Sequence, residues 1–352
     1  MNKKNFLKAL LGFGLMVLFW MPMTAQAATL RGDADKSGAV NISDAICMIN
    51  YLSSGNATVI KDMAAADVND DRNVNISDVI ALINYLSTGY WELEPYEPVY
   101  ETFTVSGVTF RMLLVKGGTF TMGGRDFDPY VKPWEFPVHE VTLSDFYIGE
   151  TEVTQALWKA VMGSNPSWFQ YKSSTDGQSI YTNDLTRPVE SVTYANCQSF
   201  ISKLNQKTGK TFRMLTEAEW EFAARGGIYS KGCMYPGSDD IDEVAWHSGN
   251  SSVYVPNGNH YENMTHSVGT KAPNELGIYD MGGNVGEWCS DWYGEYTGQA
   301  QTNPTGPTSG NERIVRGGSW GQSWRMNRVT WRLGSNPGFA NVNVGLRVVL
   351  VM

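Results

Sequence analysis

Oxygen-bearing side chains alternate near the start of the chain in a pattern suited to a hard cation. Asp33, Asp35, Ser37, Ala39, Asn41 and Asp44 occupy positions one, three, five, seven, nine and twelve of one loop. Asp67, Asn69, Asp71, Asn73, Asn75 and Asp78 occupy the same positions of a second. Ca2+ takes roughly six to eight oxygen ligands in a flexible shell. Alternating side chains in a tight loop supply them, with a backbone carbonyl at position seven and a carboxylate at position twelve to close the shell. Gly38 stands at position six, where the chain must turn sharply, whereas the second loop has Arg72 there and is expected to bind more weakly. The competing reading, a pair of Asx-rich turns that only cap helices, leaves the regular duplication unexplained.

Two further constellations could carry chemistry. Asp280, Gly283, Val285 and Glu287 can present two carboxylates and two backbone carbonyls to one cation, against the plainer reading of a glycine-rich turn. Trp320, Trp324, Arg325, Arg328, Trp331 and Arg332 crowd aromatics and guanidinium groups into one stretch, which suits a glycan, a peptide or an anion. The competing reading is that some of these six are core anchors. Other catalytic patterns are missing. His139, His247, His260 and His266 lack metal-ligand spacing, and Cys47, Cys197, Cys233 and Cys289 form no CxxC pair. No phosphate loop occurs. Glu217 with Glu219, and Asp239 with Asp240, read as caps and solvated turns rather than acid–base pairs.

The elements that must position these residues follow from a repeat. Asn41-Ile42-Ser43-Asp44 recurs 34 residues later as Asn75-Ile76-Ser77-Asp78, and Ile49-Asn50-Tyr51-Leu52-Ser53 recurs in the same register as Ile83-Asn84-Tyr85-Leu86-Ser87. Ile42, Ile46, Ile49 and Leu52, with Ile76, Ile80, Ile83 and Leu86, keep helical spacing. One copy cannot bury its apolar stripe, so the two are expected to cover each other in a small all-α domain over 31–89. An acidic, proline-bearing linker is predicted over 90–100. The remainder, 101–352, reads as a mixed α+β domain rich in glycine-punctuated loops. Helical periodicity survives there at Thr154 to Met162, Tyr194 to Leu204 and Thr216 to Arg225. Strand-like runs include Met112 to Val115 and Val344 to Leu350.

Residues 1–27 have the form of a signal peptide: Lys3, Lys4 and Lys8, an apolar run from Ala9 to Met21, and Ala25-Gln26-Ala27 as cleavage site. This predicts cleavage after Ala27, a secreted or cell-surface protein, and no membrane span in what remains. The formal net charge of −9 argues against nucleic acid as a partner.

With Asp rather than Glu at position twelve and no full helix before either loop, Arg31 to Gly89 resembles the type I dockerin family. The resemblance implies two Ca2+ ions and a cohesin-like partner module. Recognition would fall on Ile42, Ser43, Ile76 and Ser77. The large domain resembles the formylglycine-generating enzyme, or sulfatase-modifying factor, family. The motifs are Phe146-Tyr147-Ile148-Gly149-Glu150-Thr151-Glu152-Val153-Thr154, Leu215-Thr216-Glu217-Ala218-Glu219-Trp220-Glu221, Gly282-Gly283-Asn284-Val285-Gly286-Glu287-Trp288, Arg316-Gly317-Gly318-Ser319-Trp320 and Gly345-Leu346-Arg347. That resemblance implies a loop-rich variant of the C-type-lectin fold with one or two structural Ca2+ ions. One would be held by the Asp280 to Glu287 set and a second would lie near Asn250 and Ser251. It also implies that catalysis needs two copper-binding cysteines after Arg-Gly-Gly-Ser, where this chain has none from Trp320 to Arg332. Copper is therefore not expected. The expectation is a calcium-binding docking protein with a non-catalytic recognition domain. The alternative is an oxidoreductase that converts cysteine in a protein substrate through thiols placed elsewhere.

Overall fold

The computed structural model describes residues 30–68, 74–88, 97–124, 128–170, 184–255 and 260–352. The leader over 1–27, the ligand positions Asn69, Asp71 and Asn73, and linker residues 90–96 lie outside the described residues. Two units divide the chain, Met1–Gly89 and Tyr90–Met352.

In the first unit, helix α1 (Ile42–Ser54) starts on a capping box. Asn41 accepts from the backbone, the Asp44 carboxylate returns to the Asn41 N–H, and Gly55 in the left-handed region ends the helix. A short α2 (Met63–Ala66) and α3 (Ile76–Thr88) follow. Each loop-to-helix unit recurs at the spacing of the repeat. The face that packs is not the one expected. Ala45 and Met48 on α1, and their repeat mates Val79 and Leu82 on α3, are buried. Ile42 and Ile76 are 60% and 62% exposed, and Ile46, Ile49, Ile80 and Ile83 are exposed with them. Each helix carries two adjacent apolar ridges. The ridge with small Ala45 and unbranched Met48 allows close approach of the backbones and forms the core. The isoleucine ridge, one position further round, is left facing solvent.

The second unit carries fourteen described strands: β1 (Tyr100–Val105), β2 (Val108–Val115), β3 (Gly118–Met122), β4 (His139–Leu143), β5 (Phe146–Gly149), β6 (Phe212–Met214), β7 (Ser252–Val255), β8 (His260–Asn263), β9 (Gly286–Trp292), β10 (Gln301–Thr302), β11 (Arg313–Arg316), β12 (Arg332–Ser335), β13 (Val344–Gly345) and β14 (Val348–Leu350). An antiparallel sheet runs β1-β2-β5-β14-β6, a second β12-β11-β9-β13, a third β10-β4-β3, and β7-β8 is a hairpin. Helices α4 (Gln155–Met162), α5 (Tyr194–Thr208) and α6 (Glu217–Ala224) stand where periodicity places them, and each begins on a threonine whose side chain accepts from the first turn. A four-residue α7 (Ile241–Val244) follows.

The five-stranded sheet lies between two cores, which explains why Met112 to Val115 on β2 and Val348 to Leu350 on β14 read as continuous apolar runs, whereas β1 at the edge alternates. Met112 and Val348 point into a core with Trp158, Phe200 and Leu204. Their neighbours Leu113 and Val349 point into a core with Trp220, Phe222 and Met281. The predicted run Val344 to Leu350 is two strands in different sheets, because Arg347 between them turns into the interior as an ion-pair partner.

Candidate functional site

Loop one gathers its carboxylates before any ion is considered. Oxygen atoms of Asp33, Asp35 and Asp44 lie within 4.8 Å of one another. Asp33 accepts the N–H groups of Ser37 and Gly38, both at 2.8 Å, and Asp44 accepts those of Asp35 at 3.0 Å and Asn41 at 2.9 Å. Gly38 sits at φ +86°, with nothing near its would-be Cβ. Hydrogen bonding from Ser37 holds the Asp35 carboxyl below its usual range. Three like charges at this spacing, two of them buried, fit a hard divalent cation that cancels their repulsion. In the second loop Asp78 accepts from Asn75 N–H at 2.8 Å, repeating the grip of Asp44 on Asn41, and it also accepts from Val68 N–H at 2.8 Å. Beside the loops, Ser43 is exposed with Ile42.

The large domain holds its irregular backbone with buried carboxylates. Glu287 receives Arg347 Nε at 2.8 Å on one oxygen and Trp220 Nε1 at 2.8 Å on the other. Arg347 also donates to the carbonyls of Gly149 and Tyr279. Glu152 accepts from Val285 N–H at 3.0 Å and from Asn284 Nδ2 at 2.9 Å. Asp280 accepts from Gly269 N–H at 2.6 Å through Oδ2, while its buried Oδ1 has no hydrogen-bond partner. Burial raises the Asp280 carboxyl to about 6, and burial with repulsion from Asp280 and Glu287 raises Glu152 well above its ordinary value. An orphaned carboxylate oxygen in a buried acidic neighbourhood fits a cation at Asp280. Glu287 contributes to the same field with both oxygens already hydrogen-bonded. Gly283 and Val285 are tied as donors, to Gly317 O and to Glu152. Asn250 serves its own turn, accepting from His247 N–H and donating to Asp242 and Ala245.

The Trp320 to Arg332 stretch is not the exposed array its composition suggests. Arg328 is fully buried and forked onto Glu135, at 2.7 and 3.0 Å, with Asp128 as a second acid. Arg332 is forked onto Glu217, its Nε and Nη2 each 2.7 Å from a different oxygen. Trp331 is buried edge-on to Trp134. These three are interior anchors: a buried guanidinium needs a carboxylate partner, and here the partners are internal. Trp320 is half-buried against Phe169, and its Nε1 donates to Val342 O. Trp324, half-buried, meets Tyr130 edge-on, with exposed Arg325 lying over both rings.

None of the four cysteines is in a disulfide. Cys197 and Cys289 are fully buried, and burial pushes both thiols up, away from the thiolate a soft metal needs. A cavity that motif reading missed lies elsewhere, between the start of α6 and the 292–307 segment. It measures about 380 Å3 and is lined by Glu217, Asp291, Tyr296 and Arg332 among others.

A sulfatase-modifying factor enzyme 1-like domain matches residues 99–352, and a dockerin type I domain matches 31–87. The chain belongs to the sulfatase-modifying factor family. It is 32% identical to the chaperone protein LppX of Paenibacillus barcinonensis over 69% of this chain and 90% of that one. It is 30% identical to the formylglycine-generating enzyme of Streptomyces coelicolor over 66% of this chain and 86% of that one. Among solved structures, Treponema denticola variable protein 1 superposes with a TM-score of 0.60 at 33% identity, covering 72% of this chain and 99% of that one. The family and the mixed α/β architecture thus agree, and a dockerin domain stands before it, a module that implies calcium and a cohesin partner. Among the described residues no helix is long and apolar enough to cross a membrane.

Proposed function

We propose that this is an exported calcium-dependent docking protein, whose dockerin domain seats on a cohesin-like module and displays a sulfatase-modifying-factor domain that does not oxidise cysteine. The observation that carries the reading is the isoleucine ridge. Eight apolar side chains, Ile42 to Leu52 on α1 and Ile76 to Leu86 on α3, stand exposed at equivalent positions. A domain this small does not leave its larger aliphatic groups in water while burying alanines unless that face has another use. Calcium enters because loops one and two set the first turn of each of these helices. The large domain is read as non-catalytic because no thiol lies between Trp320 and Arg332 and the thiols at Cys197 and Cys289 are sealed.

The test is binding of the full chain to a purified type I cohesin module by calorimetry. Binding should require calcium and be abolished by chelator. Replacing both Ile46 and Ile80 with Asp should remove it while leaving the thermal unfolding of the chain in place. Unchanged binding by that folded double variant would overturn the docking surface.

A further inference from the structure

The cavity beside α6 is built around an acid with a free oxygen. Asp291 is 3% exposed. Its Oδ2 accepts from Ser290 Oγ at 2.9 Å and from the Glu217 N–H at 3.1 Å. Its Oδ1 has no protein donor and faces Gly306, where an added Cβ would come within 3.1 Å of it. The other acids on the cavity are differently placed. Glu217 is forked by Arg332, and Glu295 stands exposed at the mouth. Arg332 is spent on Glu217 and on the carbonyls of Trp134 and Gly294, and its guanidinium lies 3.9 Å over the Tyr296 ring. His139 packs edge-on to the same ring. The lining therefore offers negative charge without an uncommitted cation. The remaining walls set an apolar surface of Met122, Ala218, Trp292, Pro304 and Pro307 beside the uncharged polar side chains of Thr297, Gln301 and Thr305.

This chemistry selects among ligands. An anion meets Asp291 and Glu295 and is repelled. A bare metal ion needs several oxygens converging on one point. Among the described residues, the acidic cluster with that convergence is the one in loop one, not this one. A cavity of about 380 Å3 with one buried carboxylate at its floor suits a compact molecule with a charged head and an apolar body.

We propose that this cavity binds a small organic cation carrying a primary ammonium group, which donates to Asp291 Oδ1 while its apolar body lies against Met122, Ala218, Pro304 and Pro307. The site lies within the large domain and shares Arg332, which shapes one wall, with the Trp320 to Arg332 stretch. Burial and repulsion from Glu217, with a smaller contribution from Glu219, push the Asp291 carboxyl up to about 7. An ammonium ligand favours the carboxylate, so its uptake near neutral pH should release protons, and affinity should fall as pH drops below about 7.

The experiment is calorimetry on the full calcium-loaded chain with benzylamine as probe, and with benzyl alcohol as its neutral counterpart. Benzylamine should bind at least about tenfold more tightly than the alcohol, with proton release seen in buffers of different ionisation enthalpy. Asp291→Asn keeps the acceptor for Ser290 and Glu217 and should lower affinity by about tenfold or more. Thr305→Trp, on an exposed lining residue, should block entry without touching the interior and decides the matter if the Asn variant does not fold. Equal binding of amine and alcohol, no benzylamine binding, displacement of benzylamine by excess calcium, or unchanged binding by folded Asp291→Asn or Thr305→Trp would each overturn the proposal.

Discussion

Arg332 meets Glu217 in a planar fork, with Nε and Nη2 each 2.7 Å from a separate carboxylate oxygen, and both side chains are almost wholly buried. Glu217 opens α6, and Arg332 opens β12, so one ion pair ties the helix to the four-stranded sheet. Losing Arg332 strips the buried Glu217 of its forked partner and leaves it only the Arg316 guanidinium at 3.5 Å, so the loss should approach the roughly 3–5 kcal/mol of a broken buried pair. Arg332→Ala should therefore lower the thermal midpoint of the large domain sharply. Arg332→Lys should rescue little of that loss, since an ammonium cannot fork. Arg325→Ala, on an exposed side chain seven residues earlier, should shift stability by no more than about 0.5 kcal/mol. Calorimetric unfolding of the three variants checks the contrast, and equal losses would mean that Arg332 is not an anchor.

Calcium should matter most to the small unit. Its core is Cys47, Met48, Ile60, Val68, Val79, Leu82 and a few alanines, which is little apolar surface for an independent fold. Chelation of the full chain should abolish a first, small unfolding transition and leave a second, larger one nearly unmoved. Asp44→Ala removes both a ligand and the reciprocal cap on Asn41, so it should weaken calcium binding far more than Ala39→Gly, which keeps the backbone carbonyl. A chelator-insensitive first transition would rule out calcium as the organiser of this unit.

Much of this was legible in the sequence, for physical reasons that also mark where reading fails. Capping threonines and 3.6-residue periodicity are local, and α4, α5 and α6 begin where Thr154, Thr193 and Thr216 place them. Loop one is local as well, and the alternation of Asp33, Asp35 and Asp44 converges as the spacing implies. The isoleucine ridge misled because periodicity reports an apolar face, not which of two adjacent ridges finds a partner. The guanidinium groups of Arg328 and Arg332 misled because their carboxylates lie 193 and 115 positions away. Asp291 gave no signal at all: its environment is assembled from α6, β9 and the 292–307 segment, which no spacing rule connects.

Asp280 gives a prediction whose sign depends on calcium. Its carboxyl is raised in the fold, from 3.8 to about 6, chiefly by burial. A raised acid contributes stability that is fully present below the unfolded value and is lost as pH rises through the folded one. Without a cation, the large domain should lose a few kcal/mol from this group between about pH 4 and 6. In chelator at pH 7.5, Asp280→Asn should then raise the thermal midpoint, and at pH 4 it should change little. In millimolar calcium at pH 7.5 the same substitution should lower the midpoint, because it deletes the charge that holds the ion. Thermal scans under the three conditions decide it. A substitution effect of the same sign with and without calcium would remove Asp280 from any metal site.

The last prediction concerns the chemistry of the family. A cysteine-containing peptide incubated with the chain, copper(I) and oxygen should remain unconverted when followed by mass spectrometry. Conversion by thiolate-bound copper needs two soft ligands at one point and in ionised form. From Trp320 to Arg332 there is no cysteine to provide them. Cys197 and Cys289 sit on opposite faces of the sheet system, in the two separate cores, and burial keeps both protonated. Cys233, the more accessible thiol, could contribute one ligand but not a pair. Turnover that survives Cys233→Ser and is lost in Cys289→Ala, with the fold intact, would mean that the second core opens to admit copper. It would return the chain to the oxidoreductase reading.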